Sequence, residues 1–256
     1  MSFKIVIVNR LAKLTGALVK TIAYPFHFIF PKLRFIIPSQ KAPIIKSNKE
    51  TKIPKIIWQT NFTEKASLPV YVNYLFNRLM SLDYEYRYVS TEDRLEFIQK
   101  NASQDIIDAY EQLTDGASQA DLWRLFVLNF YGGIYMDIDA HLVWPLSKII
   151  KSDDTEIFLL NKEHYTNYFI ATEKDNPIIK KALNSIVDNI KNKRLGRGVY
   201  DLTGPGVLNI AIGDKKVNYR YYKITCIQGS FTNEYFQYID RPNTKWIYTK
   251  KEDLLV

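Results

Sequence analysis

The chain has 256 residues, of which 46% are apolar and 24% charged, a composition typical of a globular protein with one substantial core. Its single cysteine, Cys226, excludes an internal disulfide, and one cysteine with three histidines offers no zinc site. The formal charge of +8 does not indicate nucleic-acid binding, because residues 1–49 hold nine of the 35 basic residues and no acid, which leaves a body of 26 basic and 27 acidic residues.

The first 38 residues favour a membrane surface. On a helix, five apolar side chains fall on one face at spacings of four, three, four and four: Ile7, Leu11, Leu14, Leu18 and Ile22. Basic residues interrupt this stretch, so it is a poor signal peptide, and no run reaches the ~18 apolar residues that span a bilayer. We expect residues 1–38 to lie on an anionic membrane. The alternative is an amphipathic helix that packs on the protein's own core or on a partner subunit.

Residues 39–52 are polar and lysine-rich, so we predict a linker there. We divide the chain into a membrane-associating segment with linker, residues 1–49, and a globular domain, residues 50–256. Beyond the linker, short apolar runs alternate with amphipathic stretches. The predicted strands cover residues 55–58, 84–90, 134–139, 156–161 and 167–172. The predicted helices cover residues 69–81, 91–101, 104–113, 117–130 and 176–192. This alternation predicts an α/β fold with a mixed, mainly parallel sheet flanked by helices.

Two carboxylates end the third predicted strand, in the string YGGIYMDIDAH at residues 131–141. Asp137 and Asp139 are two residues apart, so on a strand both side chains would leave the same face. Paired hard oxygen donors at a strand end suit Mg²⁺ or Mn²⁺. An Asp-x-Asp pair alone is a weak signal, since it arises often by chance and solvent can satisfy it.

The preceding helix places Asp121 and Arg124 three residues apart on one face, just before the Gly-Gly turn. A carboxylate and a guanidinium beside a metal site could bind sugar hydroxyls. The alternative is a helical ion pair, which stabilises a protein by only ~0.3 to 0.5 kcal/mol.

The pattern A-x-x-A-D-x-x-R-x-x-x-L-x-x-x-G-G-x-Y-x-D-x-D at residues 117–139 resembles the signature of glycosyltransferase family 32. The string IPKIIWQT (53–60) is similar to the family's first strand, and TGPGVLN (203–209) to a later family loop, so the resemblance covers roughly residues 53–209.

The resemblance implies a GT-A fold of Rossmann-like type and a retaining, metal-dependent transfer from a nucleotide-sugar. It also implies the following site. Trp58 would stack on the base, with Gln59, Gly204 and Pro205 as further donor-binding residues. Asp121 and Arg124 would hold the donor sugar, and Tyr135 would line the donor pocket. Asp137 would face ribose and metal, and Asp139 would ligate a Mn²⁺ or Mg²⁺ that bridges the diphosphate. For Trp58, Tyr135 and the Gly-Pro turn, the alternatives are ordinary packing and a simple turn.

Some positions depart from the family pattern. Ala120 replaces a common serine, and no histidine follows His164 to complete the metal site. Asn243, Asp240 or Glu234 could substitute for it, and Trp246 could match a late family aromatic residue. We expect His141 to be a surface residue rather than a ligand. No residue stands out as a catalytic nucleophile, and the family's front-face mechanism does not clearly need one.

The sequence therefore predicts a glycosyltransferase on the cytoplasmic face of the bacterial inner membrane. It would move a sugar, from UDP rather than GDP, to a glycan or lipid-linked acceptor in surface polysaccharide synthesis, with no nucleic-acid partner. Three alternatives stay open: a toxin-like transferase that modifies proteins, a catalytically inactive carbohydrate- or membrane-binding protein, and a Golgi enzyme.

Overall fold

The computed structural model describes residues 3–242 and 244–256. Its helices are α1 Phe3–Ile29, α2 Leu68–Leu79, α3 Thr91–Asn101, α4 Gln104–Gln112, α5 Gly116–Tyr131, α6 Leu146–Ile149, α7 Pro177–Lys191, α8 Val199–Leu202, α9 Pro205–Ile212 and α10 Glu234–Gln237. Its strands are β1 Phe35–Ile36, β2 Gln40–Lys41, β3 Ile56–Thr60, β4 Lys65–Ala66, β5 Glu85–Val89, β6 Gly133–Met136, β7 Ala140–Leu142, β8 Glu156–Asn161, β9 His164–Thr172, β10 Tyr219–Tyr221 and β11 Cys226–Gln228. Short 3₁₀ turns cover Tyr222–Ile224, Trp246–Tyr248 and Lys251–Asp253.

Seven strands form the central sheet, in the order β10-β8-β9-β6-β3-β5-β2. The neighbours β3 and β5, β3 and β6, and β8 and β10 are parallel, whereas β9 and β2 run against their neighbours. Five of the seven strands therefore point the same way. The predicted α/β class with a mainly parallel mixed sheet is confirmed, and the parallel strands β5, β3 and β6 lie at its centre.

Helices cover both faces of this sheet, because alternate side chains of each central strand enter different cores. Trp58 and Tyr135 join the core that contains α5 and α7, while Ile57 and Ile134 join the core beneath α2. Helix α5 is buried all round from its second turn, which explains why its apolar residues extend beyond a single stripe.

Caps and a glycine pair set the direction of α5 and β6. The Asp115 carboxylate accepts a hydrogen bond of 2.8 Å from the backbone N–H of Ser118 at the start of α5. The helix ends where Gly132 and Gly133 adopt φ values of +68° and +102°. A Cβ at Gly133 would lie 2.7 Å from the carbonyl oxygen of Ile56, so only glycine lets β6 pair closely with β3 at this point.

The N-terminal part of the chain lies against the globular domain. Helix α1 packs on α2, and β2 is the edge strand of the central sheet, where it pairs with β5. The predicted linker is therefore wrong at Gln40 and Lys41, which belong to the sheet. In the described part of the chain, no helix is both long enough and apolar enough to cross a bilayer.

Candidate active site

A cleft of about 1070 Å³ opens where the parallel strands of the sheet end. Thr60 closes β3, Thr91 follows β5, and Asp137 follows β6, and all three residues line the cleft. The carboxyl ends of parallel strands are where open α/β sheets bind ligands. The opposite wall comes from the last 30 residues, among them Gln228, Tyr238 and Lys245.

Asp137 and Asp139 lie on a turn rather than on a strand. Strand β6 ends at Met136, and the backbone N–H of Ala140 donates to the carbonyl oxygen of Asp137 at 3.0 Å. The expected same-face strand geometry is therefore wrong. The two carboxylates nevertheless converge, because the Gln228 Nε2 amide donates to Asp137 Oδ2 at 2.9 Å and to Asp139 Oδ1 at 3.2 Å.

Burial raises the pKa of both carboxyl groups above the ordinary aspartate value. For Asp139 the pKa rises to about 7, with the Asp137 charge as the second cause. For Asp137 the nearby Arg124 guanidinium, 3.4 Å from Oδ1, acts in the opposite direction. Two half-buried carboxylates this close together form a site that favours a cation.

The two carboxylates fit a divalent cation that keeps other positions for a ligand. Among the described residues, no cluster of three or more His, Cys, Asp or Glu side chains could hold a metal. Mg²⁺ and similar ions commonly use one or two protein carboxylates and complete their shell with water and phosphate oxygens. Asp137 and Asp139 can supply the protein ligands, and a phosphate-bearing ligand in the cleft can supply others.

Asp121 and Arg124 form a buried ion pair at the cleft, with 2.9 Å between Asp121 Oδ1 and Arg124 Nη2. Asp121 also accepts hydrogen bonds from Asn167 Nδ2 at 2.9 Å and from Thr203 Oγ1 at 3.1 Å. The helical ion pair given as the alternative does form within α5, and each of its side chains is only 7% exposed. Burial raises the pKa of Asp121 to about 6, even though Arg124 lowers it.

Arg124 links this pair to the Asp-x-Asp turn. Its guanidinium carbon lies 4.4 Å from the centre of the Tyr135 ring, and its Nη1 donates to the carbonyl oxygen of Asn167 at 2.7 Å. The Tyr135 hydroxyl in turn donates to Asp137 Oδ1 at 2.8 Å. The structure thus places four predicted site residues in one hydrogen-bonded network at the cleft, together with Asp139 on the same turn.

Trp58 and Gln59 do not line the cleft, so the predicted direct contacts with a donor are wrong. Trp58 is 1% exposed, and its indole N–H donates to the carbonyl oxygen of Gly132 at 3.1 Å. Gln59 is fully buried on the other face of β3 and donates to the carbonyl oxygen of Asp137 at 3.1 Å. Both are buried because β3 is a central strand with helices on each side.

Only part of the Gly-Pro turn lines the cleft. Pro205 borders the cleft at the start of α9. Gly204 lies beneath it, and its N–H donates to the carbonyl oxygen of Val199 at 2.8 Å. A Cβ at Gly204 would lie 2.9 Å from that same oxygen, so this glycine serves close packing and not direct contact with a ligand.

The late residues proposed to complete a metal site pair with other groups. Asp240 forms a two-pronged pair with Arg34, at 2.6 and 2.8 Å. Glu234 pairs with Lys245 at 2.9 Å. Asn243 lies outside the described residues. Trp246 does border the cleft and is 43% exposed.

His141 is buried, so its predicted surface position is wrong. Its ring lies between those of Phe76 and Phe231, with centroids 5.9 and 5.4 Å away. Burial lowers the pKa of His141 to about 4, which keeps the ring neutral near pH 7.

Several cleft residues were not predicted from the sequence, among them Phe62, Arg94 and Gln228. Phe62 follows β3 by two residues, and the Arg241 guanidinium lies 5.0 Å from its ring centre. Gln228 reaches the Asp-x-Asp turn because β11 pairs with β7, a contact between distant parts of the chain. Only Phe62, an aromatic residue just beyond a strand end, carried a local signal.

Comparisons with known proteins agree with this geometry. Residues 69–156 match the family model described as glycosyltransferase sugar-binding region containing DXD motif. The curated mannosyl phosphorylinositol ceramide synthase SUR1 of Saccharomyces cerevisiae is 33% identical over 93 residues, which are 36% of this chain. Those residues span 24% of that relative, so the chain matches about a quarter of its length.

Solved structures resemble part of this chain. PaToxG glycosyltransferase has a TM-score of 0.53 at 20% identity, covering 80% of this chain and 78% of that one. The UDP-bound glycosyltransferase domain from the YGT toxin has a TM-score of 0.41 at 12% identity, covering 58% of this chain and 54% of that one. The PaToxG likeness shows the expected GT-A type fold. Residues 69–156 thus match a glycosyltransferase sugar-binding region with a DXD motif, in agreement with the enzyme class predicted from the sequence.

Proposed function

We propose that the protein transfers a sugar from a nucleotide-sugar to a lipid-linked or glycan acceptor in a reaction that requires Mn²⁺ or Mg²⁺. One observation carries the proposal: Asp137 and Asp139 converge on a single amide group beside the buried Asp121–Arg124 pair, within one open cleft. Carboxylates in this arrangement suit a cation that binds a diphosphate, and the ion pair beside them suits sugar hydroxyls.

Asp137 and Asp139 would hold the metal, which when bound would stabilise negative charge on the departing diphosphate. The Gln228 amide now lies between these carboxylates and would have to move aside. Arg124 stays positively charged, since the neighbouring tyrosine and carboxylates raise its pKa against the effect of burial. Its charge would orient the diphosphate end of the donor toward the carboxylates.

Transfer with retention would break the bond between the anomeric carbon and the phosphate oxygen and form a bond from the acceptor hydroxyl to the same face of that carbon. The acceptor proton would pass to the leaving phosphate oxygen. Asp121 would stay beside the sugar and hold Arg124 in place through its 2.9 Å pair. This scheme needs no protein nucleophile, consistent with the front-face mechanism that the family resemblance implies.

UDP is the nucleotide we propose, following the family resemblance, and GDP is the one to test beside it. The base would lie against Phe62 and Arg94, which both line the cleft. An aromatic ring and a guanidinium there offer stacking and hydrogen bonding to a base.

A lipid-linked acceptor is supported by the yeast relative, whose name describes the synthesis of a mannosylated ceramide lipid. A role in bacterial surface polysaccharide synthesis at the cytoplasmic face of the inner membrane stays a prediction. Transfer to a protein is the alternative, and an acceptor screen with lipid-linked glycans and with whole protein extracts would distinguish the two.

The experiment that tests this function is calorimetric and thermal-shift binding of UDP, GDP, UDP-sugars and GDP-mannose, each with and without Mn²⁺. Wild type should bind one nucleotide series in a manganese-dependent way. Asp139→Ala should lose that binding by more than about 100-fold, since removing a direct ligand costs more than removing an outer partner. Asp153→Ala, at an exposed position outside the cleft, is the matched control.

A folded protein that binds no nucleotide with Mn²⁺ present would contradict the proposal and leave a non-catalytic binding role. Binding that Asp139→Ala and Asp153→Ala affect equally would contradict the assignment of the metal ligand.

A further inference from the structure

Helix α1 presents two very different faces. The face toward the globular domain carries small or polar residues, all buried: Asn9, Ala12, Gly16, Ala23 and His27. Asn9 Nδ2 donates to the carbonyl oxygen of Lys223 at 2.9 Å, and His27 Nε2 accepts from the N–H of Leu68 at 3.0 Å. Polar contacts, together with small residues and the packing of Tyr24 on Phe236, therefore hold this helix against the domain.

The apolar stripe of α1 points in the opposite direction, toward solvent. Its five residues are between 41% and 68% exposed: Ile7, Leu11, Leu14, Leu18 and Ile22. This arrangement contradicts the alternative in which the stripe packs on the protein's own core. Further exposed apolar residues lie at the end of the helix and just beyond it: Phe28, Ile29, Phe30, Leu33 and Ile36. A helix of 27 residues is about 40 Å long, so this surface is too large to be an ordinary feature of a monomer.

Positive charge borders the stripe. Lys4, Arg10 and Lys13 are exposed on the same helix, and the first 49 residues contain no acidic residue. The remainder of the chain is nearly neutral. An exposed apolar stripe on a helix whose charged residues are all basic matches the acyl region and head groups of an anionic bilayer. A second copy of the chain would bring two such sets of cations together, so charge disfavours self-association through this face.

We propose that α1 lies flat in the interface of an anionic lipid bilayer, with Leu11, Leu14 and Leu18 in the acyl region. The opposite face of the helix touches the segment that carries the cleft wall. Lys20 Nζ donates to the carbonyl oxygen of Gly229 at 3.1 Å, next to Gln228, and Tyr24 accepts from Asn233 Nδ2 at 2.9 Å. Docking would hold the cleft close to the lipid surface. This inference does not depend on the proposed transferase function.

The test is co-sedimentation of the full chain with vesicles of phosphatidylcholine alone and of phosphatidylcholine with 30% phosphatidylglycerol. We expect binding to the anionic vesicles, weakened at least about tenfold in 0.5 M NaCl because the charges are exposed. The double variant Leu14→Glu, Leu18→Glu should lose binding by at least about 100-fold, since its charges would enter the apolar layer. Ile210→Glu, at a residue that is 67% exposed on α9, should bind like wild type.

Light scattering in the absence of lipid completes the test. Circular dichroism should show the Leu14→Glu, Leu18→Glu variant folded, because both positions face solvent. Folded wild type that binds neither kind of vesicle would overturn the proposal. A wild-type dimer that this variant converts to a monomer, without vesicle binding, would overturn it in favour of a second copy. Equal loss of binding in Ile210→Glu would overturn the assignment to this face.

Discussion

The Gln59 side chain holds the backbone of Asp137: its Nε2 donates to the Asp137 carbonyl oxygen at 3.1 Å, across 78 positions of sequence. The Gln59 Oε1 is occupied as well, by the hydroxyl of Tyr86 at 2.8 Å. Gln59 is fully buried, so both hydrogen bonds are shielded from water. A residue expected to touch the donor instead fixes the start of the turn that carries both carboxylates.

Replacing Gln59 with leucine should therefore weaken metal-dependent nucleotide binding without removing a ligand. We expect the free energy of unfolding to fall by about 1 to 3 kcal/mol, because the Asp137 carbonyl and the Tyr86 hydroxyl lose their partner. Chemical unfolding and calorimetry with Mn²⁺ and nucleotide measure the two effects. Gln59→Glu keeps an acceptor for Tyr86 but not the donor to Asp137, and should bind as weakly as the leucine variant. Full affinity in both variants would show that the turn needs no support from Gln59.

Metal-dependent nucleotide binding should weaken as the pH falls from 8 to 6. Burial raises the pKa of Asp139 to about 7, so its carboxylate takes up a proton in this range. A proton competes with the metal for the same oxygens, and the apparent affinity should drop by about tenfold per pH unit below 7. Calorimetry at several pH values measures the slope. Asp139→Asn should lose the slope together with most of the affinity, and a wild-type affinity that is constant over this range would contradict the pKa assignment.

Substitution of Trp58 should lower stability and leave nucleotide affinity nearly unchanged, whereas substitution of Phe62 should do the reverse. Trp58→Phe removes the buried hydrogen bond to Gly132 and some volume, so unfolding should become easier by about 1 to 3 kcal/mol. Nucleotide affinity should stay within about twofold, since Trp58 does not line the cleft. Phe62→Ala should leave stability nearly unchanged and reduce nucleotide affinity by at least about fivefold, because stacking of a base on an aromatic ring contributes about 1 to 3 kcal/mol. The reverse pattern would restore Trp58 as the base-stacking residue.

Arg94 should matter more for binding than for folding. It is 2% exposed at the cleft, and within the described chain no carboxylate oxygen lies within 4 Å of its guanidinium nitrogens. Burial lowers the pKa of Arg94, as expected for a charge without a counter-ion. Arg94→Met should change the free energy of unfolding by less than about 1 kcal/mol, because relief of the buried charge offsets the loss of a hydrogen bond to Thr91.

Nucleotide affinity of Arg94→Met should fall by at least about tenfold, the effect of one charge-assisted hydrogen bond. Arg194→Met, at a side chain that is 61% exposed, should leave both quantities unchanged. Calorimetry and urea unfolding of the two variants measure the difference. Severe destabilisation of Arg94→Met with unchanged affinity would make Arg94 a structural residue.

Local patterns in the sequence predicted the helices of nine or more residues and the strands of four or more, but not the shorter elements. They also predicted the residues of the Asp121–Arg124 pair and the Asp-x-Asp turn. Spacing alone determines these features, because each lies within a few positions of the chain. The residues that were assigned wrongly depend on the fold around them. Trp58 is hidden by α5, and His141 by Phe231, which lies 90 positions later. Nothing local distinguishes an aromatic or imidazole side chain in a core from one in a cleft.

Contacts between distant segments could not be predicted from the sequence for the same reason. Gln228 lies beside Asp139 only because the three residues of β11 pair with β7. Helical periodicity in α1 did identify an apolar stripe, but it could not indicate which side the domain would cover. That choice depends on Asn9 and Gly16, two residues that a hydrophobicity pattern ignores.

Gly16 allows the backbone of α1 to touch that of Ser230, since any Cβ at this position would collide with the Ser230 carbonyl. The segment just after Gln228 is thereby separated from the outer side of α1 by a single helix, about 10 Å across. With α1 in a lipid interface, this thickness would set the height of the cleft wall above the membrane.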